Sequence, residues 1–307
     1  MNRRTFSKIT SMTLLGSAFS LPAKAGIHAS LDKWRLGGPL FGKFNSPEEW
    51  ISELKKNRYR AAYCPVGLNA SEIEIRAYEM EAKKADIIIA EVGAWSNPIS
   101  PNPDVAKEAL EKCIHSLQLA DAIGASCCVN IAGSKNKENW SGPHHENFSK
   151  DTFELIVETT RKIIDEVKPL RTFFTLEAMP WIFPESPDSY LKLIKAIDRK
   201  AFAVHLDPVN MMVSPEVFFQ NGDLIKECFK KLGPYIKSCH AKDLVLKDGT
   251  FMPQFDEVVP GRGKMDYSIF LKELRKYPEV PLMMEHLSSE NDYKEGADFI
   301  RSVMKKL

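Results

Sequence analysis

The sequence predicts an α/β protein folded as a (β/α)8 TIM barrel, and three observations carry that prediction. Eight short apolar runs of strand length alternate with eight longer runs of helical spacing, from Trp34 almost to the C-terminus. Four of the later strand-like runs end on a carboxylate or an imidazole just before the chain turns: Glu177, Asp207, His240 and Glu285. No G-x-G-x-x-G turn follows the first strand, which argues against a doubly wound open sheet built around a dinucleotide. A single α/β barrel commonly uses about 250 residues, so the 307-residue chain needs only one domain, residues 26–307, after a leader.

Strands are predicted at 34–38, 60–64, 86–92, 126–132, 172–178, 202–207, 236–241 and 280–285. The helices between and after them are predicted at 47–57, 71–84, 103–123, 150–167, 188–198, 215–232, 267–277 and 291–306. The first helix opens with a capping serine, a proline and an acidic turn, Ser46-Pro47-Glu48-Glu49. The third and sixth open on Pro103 and Pro215, and the fourth shows the helical period in Leu155, Ile156, Thr159, Ile163 and Val167. Two connections after strands are long, Gly133 to Ser149 and Asp243 to Lys264; loops of that length in a compact domain are usually lids or binding loops.

The first 25 residues are set apart. Arg3-Arg4 precede a modest apolar run, Ile9 to Leu21, and Ala23-Lys24-Ala25 gives a small-x-small cleavage pattern. The run is too short and too rich in Ser, Thr and Gly to span a bilayer, so residues 1–25 read as a twin-arginine signal peptide and the protein as exported to a bacterial periplasm. Without them the chain carries a net charge of −3, because Arg3, Arg4, Lys8 and Lys24 leave with no acidic residue. That balance gives no electrostatic footprint for nucleic acid, and no later apolar run predicts membrane insertion. The six cysteines show no metal-ligand spacing, and five of them lie inside predicted strands or helices, where a thiol acts as a small apolar side chain.

The carboxyl ends of the strands are where a barrel of this kind builds its active site. Glu177, Asp207, His240 and Glu285 need only face the barrel axis to meet there. Three hard oxygen ligands and one imidazole suit a single divalent ion, Mn²⁺ first, with Mg²⁺, Co²⁺ or Zn²⁺ as the other candidates.

Leu176-Glu177, His205-Leu206-Asp207-Pro208-Val209-Asn210, Cys239-His240-Ala241-Lys242-Asp243, Pro260-Gly261-Arg262-Gly263 and Met284-Glu285-His286 together resemble the sugar phosphate isomerase/epimerase family of xylose isomerase-like TIM barrels. The resemblance implies metal on Glu177, Asp207, His240 and Glu285, with Glu177 and Glu285 also serving as catalytic acid and base. A metal holding neighbouring carbonyl and hydroxyl oxygens stabilises the enediolate formed when an α-proton leaves. A glutamate on each face of the sugar moves that proton. One departure is Asn210, where the ketose epimerases carry histidine; an amide can bond a hydroxyl but cannot exchange a proton.

Further candidates for the substrate are Lys242 and Arg262, whose charges suit a hydroxyl, an oxyanion or a phosphate, together with Trp181 and His145 on loops after strands. His205 alternates with Asp207 and reads as a core histidine, whereas His286 should face away from the site. The expected activity is a metal-dependent sugar isomerase or epimerase on a small sugar or glycoside, possible as a homo-oligomer. The alternatives are a lyase that expels a β-substituent from a 3-keto-glycoside, an apurinic endonuclease on the same barrel, and a non-catalytic sugar-binding protein.

Overall fold

The computed structural model describes residues 34–307; the segment read as a twin-arginine leader lies outside the described residues. Eight parallel strands form the barrel: β1 (Leu36–Gly37), β2 (Ala61–Tyr63), β3 (Ile88–Gly93), β4 (Cys127–Asn130), β5 (Phe174–Glu177), β6 (Phe202–Leu206), β7 (Ile236–Ala241) and β10 (Leu282–Met284). Their order is β1-β10-β7-β6-β5-β4-β3-β2, and the Arg60 N–H donates to Leu36 O at 2.8 Å to bridge the two ends. The (β/α)8 barrel is therefore as predicted.

Around it lie α1 (Pro47–Lys56), α2 (Glu72–Lys84), α3 (Pro103–Ile123), α4 (Lys150–Val167), α5 (Pro187–Ile197), α6 (Pro215–Phe219), α7 (Asn221–Leu232), α8 (Tyr267–Leu274) and α9 (Glu290–Met304). Short polar side chains start them. Ser46, Ser71, Asn102, Ser149, Ser186, Ser214, Asp266 and Ser289 each accept a backbone N–H of the first turn, satisfying donors that the helix leaves unpaired. The inner helix faces pack Trp50, Leu54, Leu117, Ile163 and Leu193 against strand residues such as Phe174 and Val204. Five of the cysteines are buried, and Cys64 is half-buried. Among the described residues no helix is long and apolar enough to cross a membrane.

Two expectations are corrected. The connection from Asp243 to Lys264 is not an irregular loop but holds an antiparallel hairpin, β8 (Asp243–Leu246) with β9 (Phe255–Val258). The Lys247 N–H donates to Gln254 O at 2.8 Å beyond the last strand pair, and Gly249 takes φ +77° in the connection between them. The helix expected over 215–232 breaks at Gln220, which leaves the helical region at φ −109°, ψ +25°. There the Asn221 amide donates to Phe218 O and Lys264 O, tying the break to the far end of the hairpin loop.

Candidate metal and proton-transfer site

Register assembles the site. On β5 and β6, Glu177 pairs with His205, and on β7 and β10, His240 pairs with Met283. Asp207 follows two residues after His205, and Glu285 directly follows β10. One donor atom from each of Glu177, Asp207, His240 and Glu285 lies within 4.8 Å of the others. His240 Nδ1 is the hub, 2.9 Å from Glu285 Oε1, 3.4 Å from Glu177 Oε1 and 3.8 Å from Asp207 Oδ2.

Sequence reasoning missed the group that aims this imidazole. Glu91, on β3 and buried, places Oε1 3.2 Å from His240 Nε2 and Oε2 2.8 Å from His205 Nε2, and also accepts from Ser238 Oγ at 3.0 Å. A carboxylate on Nε2 fixes the ring and turns Nδ1 toward the cluster. Burial pushes the Glu91 carboxyl up, but His205 and His240 more than reverse it, leaving it well below the usual range. The available signal was one acidic residue inside an otherwise apolar strand. His205 is the buried, hydrogen-bonded core histidine expected.

Lys242, 3% exposed, sits on the cluster and not on neighbouring Asp243. Its Nζ is 2.8 Å from Glu285 Oε1, 3.0 Å from Asp207 Oδ2, 3.6 Å from Glu257 Oε1 and 3.8 Å from Glu177 Oε1. Burial lowers both His240 and Lys242, but the surrounding carboxylates outweigh it and hold both well above their usual values. Burial raises Glu177 against the pull of His240, whereas His240 and Lys242 overcome burial to hold Glu285 at about 2. Asn210 donates to Glu177 Oε1 at 2.8 Å and to Ala178 O at 3.0 Å, so the residue that departs from the epimerase pattern orients Glu177.

The donor set fits a divalent ion. Asp207 Oδ2 and Glu285 Oε1 are buried and receive no aligned hydrogen bond; Lys242 Nζ is close to both, but off the direction a bond needs. Four carboxylates, counting Glu91, face two cationic side chains, so negative charge is in excess around the hub. Such oxygens with one imidazole are what a hard or borderline divalent cation takes.

Above the cluster opens a cavity of about 890 Å³. Trp181, Asn210 and Lys242 line it, and so do Trp95, Trp140 and Glu257. One reading is corrected. His286, expected to face away, lines the cavity, because its left-handed backbone (φ +57°) ends the strand alternation and sets Nδ1 3.0 Å from Glu257 Oε2. Arg262 lines not this cavity but an adjoining depression of about 220 Å³ that shares Lys242, Glu257, Glu285 and His286 with it, and it forks onto Glu295 of α9 at 2.8 and 2.6 Å. Its turn is held by the Asp243 carboxylate, which accepts the N–H groups of Gly261, Gly263 and Met265. His145 is exposed on a short 3-10 turn, its ring 4.3 Å from that of His144, and also stands outside the lining.

A search of curated proteins finds no match. Among solved structures, the chain is similar to D-psicose 3-epimerase from Clostridium cellulolyticum with D-tagatose, at 17% identity and TM-score 0.61 over 89% of this chain and 96% of that one. It is similar to 3-keto-D-glucoside 4-epimerase from E. coli, at 11% identity and TM-score 0.62 over 88% and 99%, and to endonuclease IV from Thermus thermophilus, at 11% and 0.67 over 89% and 99%. At such identities these likenesses speak to the fold alone. The sequence profile described as xylose isomerase-like TIM barrel matches residues 56–303, and the chain belongs to that family.

Proposed function

We propose that this protein is a metal-dependent isomerase or epimerase of a keto-sugar, acting by proton transfer at the carbon beside the carbonyl. The observation that carries this reading is the placement of Glu177 and Glu285. They stand at the carboxyl ends of β5 and β10, which flank β6 and β7, so the two carboxylates bracket Asp207 and His240 at the cavity floor. Glu177, Asp207, His240 and Glu285 would hold one divalent ion, whose charge beside a substrate oxygen offsets the negative charge that develops there as the proton leaves.

One glutamate takes the proton from the sugar carbon and the other supplies one at the carbon that receives it, each transfer worth roughly 10²–10⁴-fold. Asn210 holds Glu177 in place, and Glu91 keeps His240 aimed at the cluster. Lys242 and His286 reach the same floor and are placed to bond sugar hydroxyls. An endonuclease reading is less favoured, because His240 is the single imidazole in the four-residue cluster. The test is uptake of solvent deuterium into keto-sugars by wild type, Glu177→Gln and Glu285→Gln. Undiminished uptake in either variant would remove that residue from the proton path.

A further inference from the structure

The cavity is much larger than a sugar. Pockets that hold drug-sized ligands run roughly 300–1,000 Å³, and this one, at about 890 Å³, is near the top of that range. A hexose, with twelve non-hydrogen atoms, takes up about 360 Å³ at roughly 30 Å³ of liquid volume per water-sized group. Its polar lining is concentrated at one end, where Glu177, Asn210, Lys242, Glu257, Glu285 and His286 contact one another. Most of the rest is apolar, including Trp95, Trp140, Met179, Trp181, Met212 and Val213, with Tyr63, Ser141 and Asp256 as further polar groups.

These apolar groups are built in place. Trp95, Trp140 and Trp181 come from the loops after three successive strands, β3, β4 and β5. Trp181 donates its Nε1 to Ser141 O, which uses its one polar atom inside the protein and leaves the ring surface to a ligand. The Asn147 amide bonds both Trp181 O at 3.1 Å and Gly142 O at 3.2 Å, locking the second loop to the third. A Cβ on Gly93 would lie 2.5 Å from Trp95 Nε1, so glycine at the end of β3 leaves the space that ring occupies. Trp95 and Trp140 are still 37% and 43% exposed, and Val213 54%. Exposed large apolar groups gathered at one mouth mark a binding surface.

We propose that the substrate is an amphipathic glycoside, with its keto-sugar on the charged floor and an aromatic aglycone against the tryptophan wall. For the sugar half this rests on the keto-sugar reading above. A second sugar fits the wall less well. Beyond Ser141 and Asp256, its hydroxyls would face thioethers, aliphatic groups and indole rings, and a hydroxyl taken from water without a partner is disfavoured. An aromatic ring loses only apolar hydration there and gains offset or edge contacts with the indoles.

The test uses the Mn²⁺-loaded full chain and three forms of one 3-keto-β-glucoside, carrying methyl, phenyl or a second glucose as the aglycone. Affinity is read by calorimetry and by quenching of tryptophan fluorescence. The phenyl form is expected to bind at least about tenfold more tightly than the methyl form. Trp140→Ala and Trp95→Ala are each expected to shrink that ratio to about threefold or less. Both rings are more than a third exposed, so truncation leaves the core intact, and circular dichroism checks the fold.

Equal affinity for phenyl and methyl forms would overturn the assignment, as would a disaccharide binding as tightly as the phenyl form, a phenyl preference that survives in both variants, or no binding of any form. Deuterium uptake in the same samples separates the two proposals. Uptake without phenyl preference overturns the aglycone and keeps the proton transfer, and phenyl preference without uptake does the reverse.

Discussion

The two rims of the barrel each carry a charge cluster, and the clusters are built on opposite principles. At the amino ends of β1, β2 and β3, Asp86 is clamped by Arg35, Nη2 to Oδ1 at 2.9 Å, and by Arg60, with the Asp86 side chain 63% exposed. One carboxylate there meets two guanidinium groups in partial solvent. At the carboxyl ends, Glu177, Asp207, Glu285 and Glu91 are packed with His240 and Lys242, almost without solvent and with negative charge in excess. Charges paired in partial solvent contribute little to stability, whereas charges buried out of balance cost it. The contrast follows the division of labour between the two faces of such barrels.

The largest expected effect removes the hub. His240→Ala should bring bound divalent metal from about one ion per chain to less than a tenth of that, because affinity depends on the full ligand set; elemental mass spectrometry of the purified chain measures it. Metal retained by this variant would break the link between the carboxyl rim and ion binding. Glu91→Gln, which keeps the shape but weakens the grip on His240, should cost about 10–100-fold in metal affinity, read by competition with a chelator.

Lys242→Met probes the charge excess directly. Deleting one partner of a buried ion pair typically costs about 3–5 kcal/mol, so urea unfolding of chelator-treated protein should show a loss of that order. A smaller loss is expected in Mn²⁺-loaded protein, where the ion supplies positive charge beside the same carboxylates. An equal loss in both would mean that Lys242 does not act through that charge.

The smallest effect belongs to the amino rim. Asp86→Asn keeps the left-handed backbone at φ +53°, which asparagine tolerates, and removes only the charge, for a loss of about 0–1 kcal/mol at pH 7 after solvent screening. The hydrogen bond from Arg35, opposed by slight burial, holds the Asp86 carboxyl below its usual value. Its contribution is therefore present above the unfolded pKa of about 4 and lost as pH falls through the lowered folded value. Urea midpoints of variant and wild type should differ at pH 7 and converge near pH 2.

Much of this molecule was legible in the sequence. Strand and helix periods are local, so all eight barrel strands appear within a few residues of their predicted places. Alternation fixed which strand-end side chains could converge, and it failed at His286, where a single positive φ reverses the direction of the side chain. A Gly-Arg-Gly turn by itself does not say where Arg262 points; Asp243 gathers the turn's N–H groups, and the arginine pairs with Glu295.

By itself, then, the sequence determined the order of the elements and the four residues at the carboxyl rim, because both depend on spacing along one strand or helix at a time. Tertiary structure decided the partners. Glu91 meets His240 across 149 positions of sequence, Lys242 reaches Glu285 and Asp207 in preference to Asp243, and the hairpin brings Glu257 to His286. Those choices follow from strand register and barrel closure, which set distances between residues remote in the chain and which no local period encodes.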